Sequence, residues 1–269
     1  MVLRVRAPVN DDSWERQRMT KADFDVWAPF YGRWLDLLAA EQPTVDGSDV
    51  AFIRRVVADA GGGPVAELGV GTGRLAAVLE PEFGVDISAE MLAAAGRVAR
   101  RTELIHGDIT AVQLPEPVAV QFCAQNTLNH VADGDQAAVF RNAAANSRPG
   151  GLLVVETAIR VEPRLRSRDR LPVLRAFSGT SVVWDVTRAR DAQYRCAEIL
   201  GILDTVDEAG TVTNRRYFPA VSFVFLSVDE VRGWAEEAGW NVQSSAADFD
   251  GTPLHAGSAT AVFVFTKAR

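Results

Sequence analysis

The sequence predicts an α/β fold, a doubly wound Rossmann-like sheet of seven strands with an inserted antiparallel β layer. Three observations predict it. Short apolar runs alternate with helical patterns from Val65 to Val155, the rhythm of parallel strands joined by crossover helices. Gly69, Gly71 and Gly73 stand where the first of those runs ends, a turn at which backbone can approach a nucleotide-like ligand closely. From about Val183 to Phe225 strand-like runs follow one another without intervening helices, which implies an antiparallel layer.

The elements follow in order. Lys21 to Ala40 carry Phe24, Trp27, Phe30, Tyr31, Trp34, Leu37 and Leu38 at helical spacing, broken once at Pro29. Ser48, then Val50, Phe52, Ile53, Val56 and Val57, make an amphipathic helix ended by Gly61-Gly62-Gly63-Pro64. Strands are expected at Val65 to Leu68, Phe83 to Val85, Glu103 to His106, Val118 to Cys123 and Gly151 to Val155, with helices from Arg74, after Ser88 and over Asp135 to Ala145. Glu80-Pro81 ends the first of those helices early. In the insertion, Trp184 to Thr187, Tyr194 to Leu203 and Val212 to Phe225 read as strands, with a hairpin turn at Asp207-Glu208-Ala209-Gly210. Ser227-Val228-Asp229-Glu230 is a capping box for a helix that stops at Gly239, and Val242 and Ala261 to Phe265 finish the sheet. The chain thus divides into an N-terminal helical cap (1–60), an α/β core (61–180), inserted strands covering the substrate side (181–226) and a C-terminal helix with strands (227–269).

With 269 residues, 48% of them hydrophobic, the chain can bury a large core. A net charge of -7 lacks the broad basic footprint of nucleic-acid binding and suits a small neutral or cationic substrate. Cys123 and Cys196 are too few for a disulfide scaffold and lack metal-ligand spacing, so a cytoplasmic setting is expected. No apolar run reaches membrane-spanning length. Oligomeric state is not read from the sequence; a homodimer is among the assemblies it allows.

The glycines are spaced Gly69-x-Gly71-x-Gly73 behind the acidic Glu67, unlike the G-x-G-x-x-G of a nicotinamide-binding turn. Asp86 ends the second strand, where a carboxylate can accept from both ribose hydroxyls. Met91 can pack on an adenine ring, and Asp108, after the third strand, can accept from its amino group. Either aspartate could instead cap the next helix. Taken in this order and spacing, the set resembles the cofactor site of class I S-adenosylmethionine (SAM) methyltransferases. The resemblance implies SAM as cofactor and S-adenosylhomocysteine as product, with Glu67, Gly69, Gly71, Gly73, Asp86, Ile87, Met91, Asp108, Ile109 and Gln125 as cofactor-binding residues.

The whole chain is similar to the members of that superfamily that act on small molecules, among them bacterial sugar-amine N,N-dimethyltransferases and relatives of glycine N-methyltransferase. The aromatic helix ending in Tyr31-Gly32, the segment Asn126-Thr127-Leu128-Asn129-His130 and the inserted sheet carry this resemblance. It implies that Tyr31 reaches the active site and that His130 lies beside the substrate. The sugar enzymes commonly have Tyr-Asp at the position of Tyr31-Gly32, and the loop of residues 160–175 is richer in arginine here, which fits a lid or a contact with an acidic carrier.

Methyl transfer from a sulfonium is an in-line displacement with the leaving group already activated, so the protein aligns the nucleophile and manages its proton. His130, at the carboxyl edge of the sheet, suits a base or a substrate orienter, and Tyr31, the other catalytic candidate, can hydrogen-bond the methionine end of SAM or the acceptor. Aromatic residues at helical spacing also fit a core role. Asn126, Trp184, Tyr194, Arg215 and Tyr217 join them as candidates for substrate binding. Gln125 and Asn126 stand where a metal-dependent enzyme would place carboxylates, so no metal is expected. The expected function is methyl transfer to nitrogen or oxygen of a small metabolite, of the kind met in natural-product biosynthesis. A SAM-binding cyclase or rearrangement enzyme and a catalytically silent partner subunit are the alternatives the fold allows.

Overall fold

The computed structural model describes residues 24–31, 47–159, 173–178, 181–189 and 195–268, with the backbone alone described over 173–189. A helix at residues 24–31 (α1) precedes α2 (Ser48–Asp59). The core then runs β1 (Val65–Leu68), α3 (Ala76–Leu79), β2 (Phe83–Asp86), α4 (Ala89–Val98), β3 (Glu103–His106), β4 (Val118–Cys123), a 3-10 turn (Thr127–His130), α5 (Gln136–Ala145) and β5 (Ser147–Ala158). The insertion holds β6 (Val173–Ser178), β7 (Ser181–Ala189), β8 (Cys196–Val206), β9 (Val212–Tyr217) and β10 (Val221–Val224). The chain closes with α6 (Val228–Glu237), β11 (Trp240–Ala246) and β12 (Thr260–Lys267).

The main sheet has seven strands in the order β11-β12-β5-β4-β1-β2-β3. β1 pairs in parallel with both β2 and β4, and β12 runs antiparallel to β5 and β11. Successive strands therefore leave β1 first to one side and then to the other, which opens a crevice beyond its carboxyl end. Central strands β1 and β4 are buried along their whole length, as a sheet covered by helices on both faces requires. Phe122, Phe140, Phe263 and Phe265 are fully buried, each contributing about 1.5–3 kcal/mol of transfer free energy.

Four local expectations are corrected. The helix expected from Arg74 starts only at Ala76 and is one turn, Ala76–Leu79, while its end falls where expected, at a left-handed Glu80 (φ 49) ahead of Pro81. Helix α1 continues through Pro29, which costs it only the bond to the residue 25 carbonyl. The fifth strand extends from Ser147 to Ala158 because it pairs with β4 on one side and β12 on the other. The insertion begins with β6 at Val173, inside the segment expected as an arginine-rich loop, because β6 pairs with β7 from Val173 to Ser178. The rest of that loop, 160–172, lies outside the described residues, as do the helical expectations at 32–40. Among the described residues no helix is long and apolar enough to cross a membrane.

The second sheet orders its strands β10-β8-β7-β6, with β9 also on β8. α1 ties this sheet to the core. The Asp25 carboxylate accepts from Ser88 Oγ at the start of α4, and Trp27 Nε1 donates to the Pro219 carbonyl at 3.0 Å. The Arg216 guanidinium lies 4.1 Å from the Phe30 ring centroid.

Candidate active site

A cavity of about 500 Å³ opens at the carboxyl ends of β1 and β2, within the size range of small-ligand sites. Glu67, Gly69, Gly71, Asp86, Ile87, Met91, Asp108, Ile109 and Gln125 line it from the core, together with Thr72 and Arg74. Phe24 and Tyr31 of α1, Ser222 of β10 and His130 wall another part.

The glycine turn is shaped by its neighbours. Gly69 (φ 79) approaches Thr127 so closely that a Cβ would lie 2.3 Å from Thr127 Cγ2. Gly69→Ala is therefore expected to destabilise the protein by at least about 1–3 kcal/mol, through a left-handed alanine and a clash together. Thermal unfolding checks this, and an unchanged melting temperature would contradict it. A Cβ on Gly71 (φ 54) would meet nothing within 4 Å, so that glycine faces open space. Gly73, expected at the cofactor, does not line the cavity: a Cβ there would lie 3.0 Å from Ala95 Cα, so it serves the approach of α4.

Asp86 accepts from the Gly71 N–H through Oδ2 (2.8 Å) and from the Ser88 N–H through Oδ1 (2.9 Å). It therefore braces the glycine turn while its remaining lone pairs stay at the cavity wall. Burial raises its pKa above the ordinary aspartate value, opposed by those N–H groups. Asp108 Oδ1 accepts from Thr110 N–H and Oγ1, an Asx turn; no helix begins there, so the side chain shapes a turn at the cavity wall and caps no helix.

Glu67 is 4% exposed, and its Oε2 has no hydrogen-bond partner among the described residues. Burial holds its carboxyl well above the usual range, against the pull of Arg74. Arg74 in turn pairs with the fully buried Asp49 of α2. This Arg74–Asp49 pair was not anticipated from sequence.

His130 Nδ1 lies 2.9 Å from the Ser222 carbonyl. A carbonyl only accepts, so Nδ1 carries the proton and Nε2 is the lone-pair nitrogen. Phe24 and Phe223 meet the ring edge-on at 5.3 and 5.1 Å. Burial lowers its pKa to about 4, so the imidazole is neutral across the physiological range.

Three other substrate candidates lie away from the cavity. Asn126 carries a left-handed backbone (φ 59), and its N–H donates to Glu156 Oε2 at 2.8 Å. Arg215 is engaged by Asp204 at 2.6 Å, and Tyr217 is 51% exposed. Arg215 thus lies over the buried Asp204 across the sheet, Tyr217 is turned to solvent, and Phe218, 2% exposed, packs on Trp27. Of Trp184 only the backbone is described, and Tyr194 lies outside the described residues. Among the described residues no group of three or more His, Cys, Asp or Glu side chains could hold a metal ion.

Residues 65–151 match the family model described as a methyltransferase domain. No curated protein matches the chain by sequence. The CcbJ methyltransferase from Streptomyces caelestis is similar in structure with a TM-score of 0.75 and 24% identity, over 93% of this chain and 100% of that one. The sugar N-methyltransferase KedS8 from Streptoalloteichus sp ATCC 53650 gives a TM-score of 0.65 at 19% identity, over 87% and 93%. CalS10, an amino pentose methyltransferase from Micromonospora echinaspora described with SAM bound, gives 0.64 at 19%, over 82% and 90%. At these identities the likeness establishes the fold, which is that of SAM-dependent methyltransferases.

Proposed function

We propose that this chain, which carries a methyltransferase domain over residues 65–151 on a class I methyltransferase fold, binds SAM and methylates a nitrogen or oxygen of a small natural-product-like molecule. The single observation that carries this reading is the cavity wall itself. A braced carboxylate, Asp86, an open glycine, Gly71, and Glu67, whose buried Oε2 has no partner among the described residues, all border one space at the sheet's carboxyl edge. The residues fit the cofactor chemically. A buried carboxylate oxygen without a donor suits an ammonium, Gly71 leaves room for close approach, and Asp86 retains acceptor capacity for hydroxyls.

When bound, SAM supplies a methyl group on an activated sulfonium. The residues that would hold it are Glu67, Gly69, Gly71, Asp86, Met91 and Asp108. The chain's own work is then orientation. His130, neutral and donating from Nδ1 to the Ser222 carbonyl, offers Nε2 as an acceptor for the N–H or O–H of the incoming nucleophile. Its low basicity makes it an orienting acceptor more than a strong base, so an amine that arrives neutral is served best. Phe24, Tyr31 and Ser222 enclose the space beside it. A small-molecule partner in a cytoplasmic setting accompanies this reading.

Formation of S-adenosylhomocysteine tests the proposal. Incubation with SAM and a panel of amine- and hydroxyl-bearing small molecules is expected to yield S-adenosylhomocysteine with stoichiometric acceptor methylation. Binding of SAM together with product formation that consumes none of it would favour the non-methylating alternative.

A further inference from the structure

Glu156 stands in the otherwise apolar run of β5, 7% exposed, yet it does not line the cavity. Its Oε2 accepts from the Asn126 N–H at 2.8 Å, and the Gln125 N–H is also directed at its carboxylate. These two residues are consecutive and both left-handed, at φ 56 and 59, without being glycines. Such backbone costs on the order of 1–3 kcal/mol per residue and persists only where its surroundings enforce it. Four residues on, Asn129 pins the same segment to the same strand: its Oδ1 accepts from Thr157 Oγ1 and the Ala158 N–H, and its Nδ2 donates to the Ala158 and Val224 carbonyls. Between the two pins lie Thr127, against Gly69, and next to them Gln125 and His130 on the cavity wall.

We propose that Glu156 is a positioning residue whose carboxylate holds the left-handed turn after β4 and thereby sets the placement of Gln125, Thr127 and His130 at the ligand cavity. This rests on the SAM-binding reading above. An ionised carboxylate accepts the Asn126 N–H and attracts the Gln125 N–H beside it. A protonated one turns one oxygen into a donor and holds them less well. The groups facing it are Asp49 of α2, Arg74 after β1 and the Cys123 thiol of β4, beyond which lies Glu67 of β1. Burial raises its pKa to about 7, against the two N–H groups and Arg74, so its proton occupancy changes near neutrality.

The test is calorimetric titration with S-adenosylhomocysteine at pH 8.5 and pH 5.5, on wild type and Glu156→Gln, with circular dichroism as the folding control. Glu156→Gln reproduces the protonated carboxyl. At pH 8.5 it is expected to bind about tenfold more weakly than wild type, and at pH 5.5 the two affinities should converge to within about twofold. A ratio that stays constant across this range, or no difference at pH 8.5, overturns the proposal. Should Glu156→Gln fail to fold, Asn126→Gly decides. Glycine adopts the left-handed turn without the clamp, so the pH dependence of binding should shrink, and a dependence equal to wild type overturns the proposal. A wild type that binds no S-adenosylhomocysteine at either pH refutes the underlying function instead.

Discussion

Replacing His130 with alanine is expected to lower turnover by about 10²-fold or more with the acceptor that supports S-adenosylhomocysteine formation, while affinity for S-adenosylhomocysteine stays within about twofold. The split follows from where the ring sits. Its Nδ1 is committed to Ser222 and its flanks to Phe24 and Phe223, while Asp86 braces the glycine turn through separate contacts. Removal therefore takes away an acceptor for the nucleophile and leaves the glycine turn intact. Steady-state kinetics with calorimetry checks this; a folded variant with wild-type turnover would remove His130 from the chemistry. The same ring shapes acid stability. Its folded pKa, about 4, lies below the ordinary 6.5, so between those values the unfolded chain binds more protons. The stability it contributes is present above pH 6.5 and lost as pH falls toward 4. The full loss is at most about 3 kcal/mol, reduced by the water that reaches the cavity face. His130→Gln should accordingly flatten that limb in thermal melts between pH 7 and pH 4.5.

Arg74→Ala is expected to destabilise the fold by about 3–5 kcal/mol and to lower the melting temperature by roughly 10 °C. Asp49 is fully buried, and its one charged partner among the described residues is Arg74. The Val50 N–H, 2.7 Å from Asp49 Oδ1, cannot replace a cation. Truncating Arg74 strands that charge between α2 and the glycine turn. The double variant Asp49→Leu, Arg74→Met removes both charges and should recover most of the loss, because the cost comes from the uncompensated carboxylate. Thermal unfolding of the two variants decides this, and a single variant as stable as wild type would show that water or another group satisfies Asp49.

The sheet and the glycine turn were legible because they are local: alternation of apolar runs, glycines at a strand end, and an aspartate closing β2. Legibility failed where a role depends on pairing across the chain. Asp49 and Arg74 are 25 residues apart and His130 and Ser222 are 92 apart, and nothing in either stretch announces its partner. In β9 the pattern marks Arg215 and Tyr217 as polar but not that Asp204, on the neighbouring strand, takes the first and that the second is exposed. Gly73 and Asn126 carry the right residue types but face α4 and Glu156. One missed signal was present in sequence: a glutamate, Glu156, directly after the apolar run Leu152 to Val155 is a buried charge that demands an explanation.

The central claim, that the cavity is a SAM site built on the glycine turn and Asp86, is tested most directly by titrating S-adenosylhomocysteine into wild type and Asp86→Ala. One site per chain is expected for wild type, weakened in Asp86→Ala by about 1–3 kcal/mol, the cost of leaving the Gly71 and Ser88 N–H groups and the ligand hydroxyls unmet. Absence of binding by folded wild type, or equal affinity in the variant, would contradict it.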